Sequence, residues 1–469
     1  MADIYVNASV SYGSGSGSSG NPFSLLEGLE NLNATDKTVI MQDGTYTTQI
    51  FNNNQNIWTL PTIEGNRQTV QAENAGNVTW KTGGSYALQF KQICRYITFQ
   101  DIVFDGSNMT GTESNMIHIF QQASRSTIHD VIWNGCTFRY APRHNIYMDS
   151  ASSGCSLINC ISYDAGQATT SGLWNNYYIE GDTHIVRGCQ AYYTSGHVKG
   201  SFGGNGGNFR LSTNSGWITT SEGADQSDGH LIEDCYARGG TYGVVVSFDD
   251  HIIRNNEFID HRYGTSNFAI EYLTINVAKF IGGTTTNDNL QVYNNTLYNS
   301  STAGTGVAFV TFTGATATNA AVKNNIEYGF STAHDFGGAT VATATNLTTD
   351  PSFVDAATQD FHIEADGDAD GTGTDLSATG FSDDKDGDTR PSNGSTWCIG
   401  AYEVKTPASH DPVNSLTSTT MTAVTELATS VPTIVVQDAD GNLVRVELTV
   451  TQGTLAVPGT SGATVQTGS

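Results

Sequence analysis

The stretch Asn145-Ile-Tyr-Met-Asp149 is the first of a series of five-residue blocks that recur along the chain. Each block opens with Asn or Gly, the residues that most readily take a left-handed turn. Apolar and variable positions then alternate, which is the period of a half-buried β-strand. The blocks occupy residues 145–149, 176–180, 208–212, 243–247, 267–271 and 306–310.

A second series, of anchor residues, interleaves with these blocks. Each anchor closes a short run such as Val131-Ile-Trp-Asn-Gly-Cys136, and one anchor falls in every turn of the repeat. Short strands stacked in register, with loops of variable length between them, predict a parallel β-helix. The alternative, a β-propeller, needs four strands per blade and a steadier period. The anchors are Cys136, Cys160, Cys189, Cys235, Asn256, Asn295 and Asn325.

Registering the blocks assigns their side chains to two faces of a strand. The inward columns are Ile146, Tyr177, Phe209, Val244, Phe268 and Val307, and Met148, Ile179, Leu211, Val246, Ile270 and Phe309. The outward columns are Tyr147, Tyr178, Arg210, Val245, Ala269 and Ala308, and Asp149, Glu180, Ser212, Ser247, Glu271 and Val310. Because coils stack ~4.8 Å apart, two tyrosines, an arginine and two carboxylates should converge on one exposed patch, the predicted site.

Composition and charge exclude several classes of protein. The 469 residues include 51 glycines and only 14% charged residues, which suits a solenoid with many turns. A formal net charge of −26 argues against binding to nucleic acid or to an anionic bilayer. The seven cysteines do not form a disulfide pattern, and no apolar run is long enough for a membrane span. The first residues lack the basic and apolar regions of a secretory signal, so none is expected in this sequence.

The two ends of the repeat region carry specific motifs. Residues 1–60 contain a strand at Asp3-Ile-Tyr-Val6, a Gly/Ser loop, a helix that begins at Pro22, and the run Thr38-Val-Ile-Met-Gln-Asp-Gly-Thr-Tyr46. This resembles the N-terminal cap of right-handed β-helix proteins of the pectate-lyase-like superfamily. Asp384-Lys-Asp-Gly-Asp-Thr-Arg-Pro391 followed by Ile399-Gly-Ala-Tyr-Glu403 is similar to the closing segment of surface and secreted members, although Trp397-Cys398 stands where they usually have an acidic residue.

The resemblance and the repeats together divide the chain. Residues 61–403 form the β-helix proper, an all-β right-handed solenoid, and residues 404–415 a linker. Residues 416–469 resemble the start of the immunoglobulin-like repeats of bacterial adhesins. Such a sandwich usually has ~100 residues, so the chain is expected to be a fragment of a longer protein.

Two reactions fit the predicted site. Asp149 and Glu180 on neighbouring coils provide the acid and the base or nucleophile of a glycoside hydrolase, or they hold a cation or form an ordinary solvated acidic ladder. Arg210 beside Tyr178, with Lys199 on a preceding loop, provides the cation of a polysaccharide lyase, unless Arg210 simply pairs with Glu180. Tyr147, Tyr178, Trp174 and Trp217 are the predicted sugar contacts.

The expected function is the engagement of a polysaccharide or cell-surface glycan outside the cell, by a surface or phage tail-spike-like protein with or without depolymerase activity. The alternative is a non-enzymatic adhesin or structural fibre in which the β-helix is a spacer. A homotrimer or a larger surface or virion assembly is compatible with both. The alternating Asp and Gly residues of two segments predict structural Ca²⁺, with Asp366, Asp368, Asp370, Asp384, Asp386 and Asp388 as ligands.

The calcium prediction is testable in solution. We expect Ca²⁺ to raise the melting temperature, because a ligand that binds only the native state stabilises it by mass action. Calorimetry in EDTA and in millimolar CaCl₂ measures the effect. An unchanged transition contradicts calcium binding.

Overall fold

The structure, a computed structural model, describes residues 3–32, 37–52, 67–90, 94–111, 114–119, 128–149, 152–167, 174–194, 207–211, 228–240, 242–246, 249–261, 273–278, 288–300, 310–313, 317–330, 334, 336, 339–392, 394–404, 433–437, 443–447, 449–451 and 454–456. The chain divides into two compact units, Met1–Thr406 and Pro407–Ser469. None of the helices in these described ranges is long and apolar enough to cross a membrane.

Three parallel sheets build the first unit, and each coil contributes one strand to each sheet in turn. The first sheet contains Ile4–Val6, Thr38–Met41, Gln68–Ala72, Cys94–Gln100, Ile128–Asn134, Ser152–Ser153, Ser156–Ile158, Ile185–Arg187, Leu231–Glu233, Ile252–Arg254, Gln291–Tyr293, Ala320–Lys323 and Val341–Ala344. The second contains Gly44–Tyr46, Val78–Trp80, Val103–Asp105, Thr137–Arg139, Ile161–Tyr163, Gln190–Tyr192, Tyr236–Arg238, Glu257–Ile259, Thr296–Tyr298 and Ile326–Tyr328. The third contains Ile50–Asn52, Leu88–Phe90, Ile117–Ile119, Ile146–Met148, Asn175–Ile179, Gly207–Leu211, Tyr242–Val246, Leu273–Ala278 and Val310–Thr313. The predicted parallel β-helix is confirmed.

The turn from the first sheet to the second explains the Asn and Gly residues that precede the anchors. One residue of this turn has a left-handed backbone, as at Gly135 (φ 65°), Asn159 (φ 51°) and Asn255 (φ 53°). Gly and Asn adopt this conformation at the least cost. The next residue is the anchor, and its side chain points into the coil.

The anchors stack as the sequence predicts. The asparagine ladder (Asn256, Asn295, Asn325 and Asn346) links coils through side-chain amides: Asn256 Nδ2 donates to Asn295 Oδ1 at 2.9 Å, and Asn295 Nδ2 to Asn325 Oδ1 at 2.9 Å. Each Oδ1 also accepts the backbone N–H of the preceding anchor, as from Asn256 at 3.1 Å. All seven cysteines of the chain are buried and unpaired, as expected. The column therefore satisfies backbone groups that the interior would otherwise leave unbonded.

Apolar side chains stack in the interior in the same way. Phe104 and Phe138 lie 5.2 Å apart with ring planes 7° from parallel, and Tyr177 and Phe209 lie 5.1 Å apart at 5°. The predicted inward residues Ile146, Met148, Ile179, Leu211, Val244 and Val246 are all fully buried. The solenoid interior is thus a continuous core in which each coil covers the next.

A histidine ladder (His184, His230 and His251) occupies the turn from the third sheet to the first. The rings stack 5.2 and 5.1 Å apart. Each Nδ1 accepts a backbone N–H from the preceding coil: Cys155 donates to His184, His184 to His230, and His230 to His251. Burial lowers the pKa of His184 to about 4 and that of His230 well below its usual value, so these two rings are neutral at pH 7.

The N-terminal end is closed by a short helix, Leu25–Glu30. The helix begins three residues later than the prediction that placed its start at Pro22. Ser24 is the N-cap, because its hydroxyl accepts the N–H of Glu27 while the Glu27 carboxylate accepts the N–H of Ser24. This capping box fixes the first turn.

The closing motif near residue 403 folds back on the coils around a buried arginine. Arg390 donates to Glu403, to Asn255 Oδ1 at 2.9 Å and to the carbonyl of Ala401 at 3.2 Å. Its guanidinium carbon lies 5.3 Å from the centroid of the Trp397 ring. The motif is therefore a structural clamp between the closing segment and the turn at Asn255.

The register of the last two predicted blocks is wrong. Val244 pairs with Ile275 rather than with Phe268, and Ile275 pairs with Val310 rather than with Val307. Leu273–Ala278 has the same alternation as the predicted block, so the pattern alone could not choose between them. Both slips are odd, and an odd slip exchanges the two faces of a strand. In register, the column of Tyr178, Arg210 and Val245 therefore continues through Asn276 and Thr311.

The second unit contains two antiparallel pairs of strands in its described residues. Thr433–Gln437 pairs with Leu443–Glu447, and Thr449–Thr451 pairs with Thr454–Ala456. In the first unit, Phe353–Asp355 pairs with Asp360–Ile363, and Ser377–Thr379 is a 3₁₀ helix. Residues 405–415 of the linker predicted at 404–415 lie outside the described residues, and an immunoglobulin-like domain stays a prediction.

Replacing Asn295 with Ala tests the asparagine ladder. We expect a loss of roughly 2–4 kcal/mol in the free energy of unfolding, because two donors of Asn256 lose their acceptor in the dry interior. Asn346→Ala is the control: this asparagine is half-exposed, so water replaces its contacts and the loss is about 1 kcal/mol or less. Urea unfolding followed by circular dichroism measures both. Equal losses of unfolding free energy in the two variants would show that the buried ladder contacts do not stabilise the stacking of the coils.

The histidine ladder predicts a pH dependence of stability. The unfolded chain protonates His184 below about pH 6.5, whereas the folded chain keeps it neutral down to about pH 4. Stability contributed at neutral pH is therefore lost as the pH falls through this window. Between about pH 7.5 and pH 4.5 the wild type should lose roughly 2–3 kcal/mol more than His184→Asn, as measured by urea unfolding. Parallel losses in the two proteins contradict this.

Candidate functional site

The outward positions of the third sheet bring polar and aromatic residues into one column. The register pairs His118 with Tyr147, Tyr147 with Tyr178, and Tyr178 with Arg210. We call His118, Tyr147, Tyr178 and Arg210 the outer column. The sequence predicted the last three of these as neighbours, and the structure brings them together in that order.

Ring stacking occupies the faces of the tyrosines in the outer column. The rings of His118 and Tyr147 lie 5.0 Å apart at 26°, and those of Tyr147 and Tyr178 lie 4.9 Å apart at 29°. The Arg210 guanidinium covers the other face of Tyr178 at 4.7 Å from its centroid. Both faces of Tyr178 are therefore occupied, and the side chain is only 3% exposed. The predicted open patch with free tyrosine faces is corrected: these tyrosines present edges, not platforms.

His144 is the functional candidate that the sequence reasoning missed. It precedes Asn145, whose Oδ1 accepts the N–H of Ala141 at 3.0 Å and so closes the loop that carries His144. The His144 ring lies 5.0 Å from the Tyr178 ring and 5.8 Å from that of Trp174. The residue lies just outside the repeating block, so alternation gave no signal for it. The signal in the sequence that could have identified His144 is its position between Arg143 and Asn145, the asparagine that opens the first block.

The predicted sugar contacts on loops are only partly described. Trp174 is buried at 7% exposure, and the Arg143 guanidinium lies 5.1 Å from its ring centroid. One face of this tryptophan is thus used within the protein. Lys199 and Trp217 lie outside the described residues, so their roles stay predictions.

The two predicted carboxylates lie on adjacent coils. Met148 pairs with Ile179, and Asp149 and Glu180 are the residues that follow them. Asp149 is half-buried, but Glu180 is only 5% exposed, against the predicted exposed position. His184 Nε2 donates to the backbone carbonyl of Glu180 at 3.0 Å, so the histidine ladder fixes this end of the strand. Ser212, Ser247 and Glu271 lie outside the described residues.

Burial and nearby charges shift the pKa values of the outer-column tyrosines and of His144 in opposite directions. Burial, reinforced by the charges of Glu180 and Asp149, raises the pKa of Tyr147 far above its usual value. Burial and Glu180 likewise raise the pKa of Tyr178. Burial and the charges of Arg143 and Arg210 lower the pKa of His144 well below its usual value. At neutral pH both tyrosines are therefore protonated, and His144 is neutral.

Arg210 keeps its charge despite its surroundings. Burial alone would lower the pKa of this guanidinium, but Tyr178, Tyr242 and Glu180 together raise it. Tyr242 lies on the next coil, in Tyr242–Val246. The site thus holds a permanent cation against a stack of protonated phenols.

The predicted calcium ligands have structural partners in the closing region. Asp384 Oδ1 accepts the N–H groups of Asp386 and Asp388 at 2.9 Å each, and its Oδ2 accepts that of Glu403 at 2.8 Å. His362 bridges Asp360 and Asp386. No group of three or more His, Cys, Asp or Glu side chains in the described ranges is arranged to hold a metal ion.

The other three predicted ligands lie in the turn at 366–370. Asp370 Oδ2 accepts the N–H of Asp366 at 2.9 Å, and Asp368 Oδ2 accepts the hydroxyl of Thr349 at 3.5 Å. These carboxylates do not form a cluster that fits Ca²⁺, and calcium binding stays a prediction.

Comparisons with known proteins place this geometry in a wider context. A family model described as Disaggregatase related matches residues 234–379, less than half of the chain. The curated proteins give no match. Among solved structures, the chain is similar to the pectate lyase Pel9A, with 15% identity and a TM-score of 0.53 over 86% of this chain and 96% of that one.

Two further solved structures have lower scores. An alginate lyase from Paenibacillus sp. str. FPU-7 has 14% identity and a TM-score of 0.45 over 74% of this chain and 99% of that one. Geobacillus virus E2 ORF18 has 14% identity and a TM-score of 0.37 over 73% and 62%. At such identities it is the fold that is shared: this chain is a parallel β-helix of the kind found in pectate lyase Pel9A.

Proposed function

We propose that this protein engages a polysaccharide outside the cell through the outer column and cleaves it there. The observation that carries the proposal is the concentration of Arg210, Tyr178 and Glu180 on one outward sheet face of a solenoid. The structural ladders of this solenoid each repeat one type of side chain, asparagine or histidine, whereas this sheet face combines a cation, an acid and a hydrogen-bond donor. A pectate lyase with the same fold supports the choice of a polysaccharide.

The protonation states limit which residue can take which role. Tyr147 and Tyr178 have raised pKa values, so their phenols stay protonated and act as hydrogen-bond donors rather than as bases. The base then falls to a carboxylate, Asp149 or Glu180. Arg210 provides fixed positive charge for an anion that forms during reaction, or for a carboxylate of the substrate.

Two cleavage reactions remain open with these residues. In elimination, a carboxylate removes the proton next to a uronate carboxyl while Arg210 stabilises the negative charge. A C=C bond then forms as the glycosidic C–O bond breaks, and the leaving oxygen takes a proton from water or from the protonated carboxyl. In hydrolysis, Asp149 and Glu180 divide the roles of acid and of nucleophile or base, and the ~4.8 Å spacing of coils is compatible with the ~5–5.5 Å between carboxyls in retaining enzymes. The products distinguish the two reactions: elimination leaves an unsaturated sugar, and hydrolysis leaves only a new reducing end.

Glu180→Gln tests the proposal in a panel of acidic and neutral glycans. The change keeps the shape of the side chain and removes its proton transfer, so we expect at least a ~100-fold loss of turnover with binding retained. Tyr178→Phe, which removes one hydroxyl and keeps the stack, should lower turnover as well. Reducing-end and unsaturated-product assays measure turnover, and calorimetry measures binding.

Glu73→Gln is the matched control, because this exposed glutamate lies in a turn away from the third sheet. It should leave turnover unchanged. A wild type that binds glycans and releases no product would favour an adhesin. A wild type that binds none of the glycans would contradict the proposal and favour the alternative in which the β-helix is a spacer.

A further inference from the structure

The position of one ring proton in His144 is fixed by the backbone. The N–H of Asn175 donates to His144 Nδ1 at 2.9 Å. A backbone amide can only donate, so Nδ1 carries no proton and the neutral ring holds its proton on Nε2. Asn175 lies in Asn175–Ile179, the strand that also carries Tyr178. The same strand therefore positions both groups.

The Nε2–H of His144 donates to no acceptor in the described part of the protein. The residue is 1% exposed, and Nε2 forms no hydrogen bond there. A buried donor without an acceptor costs about 1–3 kcal/mol, and such groups call for an explanation when they occur at a functional site. The ring that carries this donor contacts Tyr147 and Tyr178 of the outer column.

His184 of the histidine ladder gives a direct contrast. His184 also accepts a backbone N–H through Nδ1, but its Nε2 donates to the carbonyl of Glu180 at 3.0 Å. Both of its nitrogens are used to hold coils together. In His144 only the anchoring nitrogen is used, so structure alone does not account for the second nitrogen.

The charges around His144 indicate what its donor would meet. Arg143 and Arg210 both act on the ring electrostatically, as does His118. Two guanidinium groups next to a neutral N–H donor form an anion-binding environment. Of the acidic side chains nearby, Asp149 acts on Tyr147, and Glu180 acts on Tyr147, Tyr178 and Arg210. In a chain of net charge −26, this concentration of cations is local.

We propose that His144 is a substrate-binding residue that donates its Nε2–H to an acidic group of the glycan, a carboxylate or a sulfate, with Arg143 and Arg210 supplying the opposite charge. The inference rests on the proposed polysaccharide function and deepens it, because it specifies an acidic glycan. Since His144 stays neutral, it binds the acidic group by hydrogen bonding and does not depend on its own protonation.

Two substitutions separate the two nitrogens of His144. His144→Asn places an oxygen near the position of Nδ1, keeps an acceptor for the N–H of Asn175 and loses the distal donor. His144→Gln places an N–H near the position of Nε2. His230→Asn is the matched control, since it changes a buried neutral histidine of the ladder that lies outside the outer column. Circular dichroism and thermal melting confirm that each full-length variant folds.

The probes are two matched pairs of glycans, measured by calorimetry. Polygalacturonate is compared with its methyl ester, and dextran sulfate with dextran, so that each pair differs only in the acidic group. We expect the wild type to bind an acidic member more tightly than its neutral partner. His144→Asn should weaken that binding about tenfold, the loss expected for one hydrogen bond to a charged group. His144→Gln should restore most of it, and His230→Asn should bind like the wild type.

A spectroscopic measurement provides an independent readout. In ¹⁵N NMR of the full-length protein, the His144 ring should show a protonated Nε2 and an unprotonated Nδ1, and Nε2 should shift when the acidic glycan is added. A proton on Nδ1 would overturn the inference, as would wild-type affinity in His144→Asn. Equal affinity for the acidic and neutral members would overturn it while leaving the polysaccharide function standing. No binding to any of the four probes would overturn both.

Discussion

The structure depends on one repeated interaction, in which the side chain of a turn residue accepts the backbone N–H of the preceding coil. Asn295 accepts from Asn256 in this way at 3.1 Å, and His230 accepts from His184 at 3.1 Å. In a solenoid each coil contacts only its neighbours, so these bonds set the alignment of every adjacent pair. Once the turns are aligned, the strands between them are aligned as well, and outward side chains form columns. The outer column exists because the turns hold the coils in register.

The same alignment explains the chemistry of the site. Stacking Tyr147 on Tyr178 and Arg210 on Tyr178 removes water from three polar groups at once. Removal of water keeps the phenols protonated, while the negative charge of Glu180 favours the charged form of the guanidinium. A rigid face with fixed proton donors and a fixed cation is suited to stabilising negative charge. Its rigidity comes from the ladders on either side, including the bond from His184 to Glu180.

Much of this arrangement could be predicted from alternation and turn residues. The pairing of Ile146, Tyr177, Phe209 and Val244 followed from blocks that each begin with Asn or Gly. Prediction failed at 267–271 because Leu273–Ala278 alternates equally well, and the choice between them depends on pairing with Tyr242–Val246. The burial of Tyr178 could not be predicted, because the loops and stacked neighbours that cover an outward residue leave no mark on the period of its strand. His144 was missed for a related reason: its role comes from contacts with the next coil, and it precedes the repeating block.

The central claim is that the outward face of the third sheet is where this protein meets its glycan. Hydrogen–deuterium exchange of the full chain, with and without polygalacturonate, tests it most directly. The account predicts added protection at Ile146–Met148, Asn175–Ile179 and the residues beside them, with exchange in the second-sheet strands Thr137–Arg139 and Ile161–Tyr163 unchanged. Protection of the second sheet instead, with the third sheet unchanged, would contradict it.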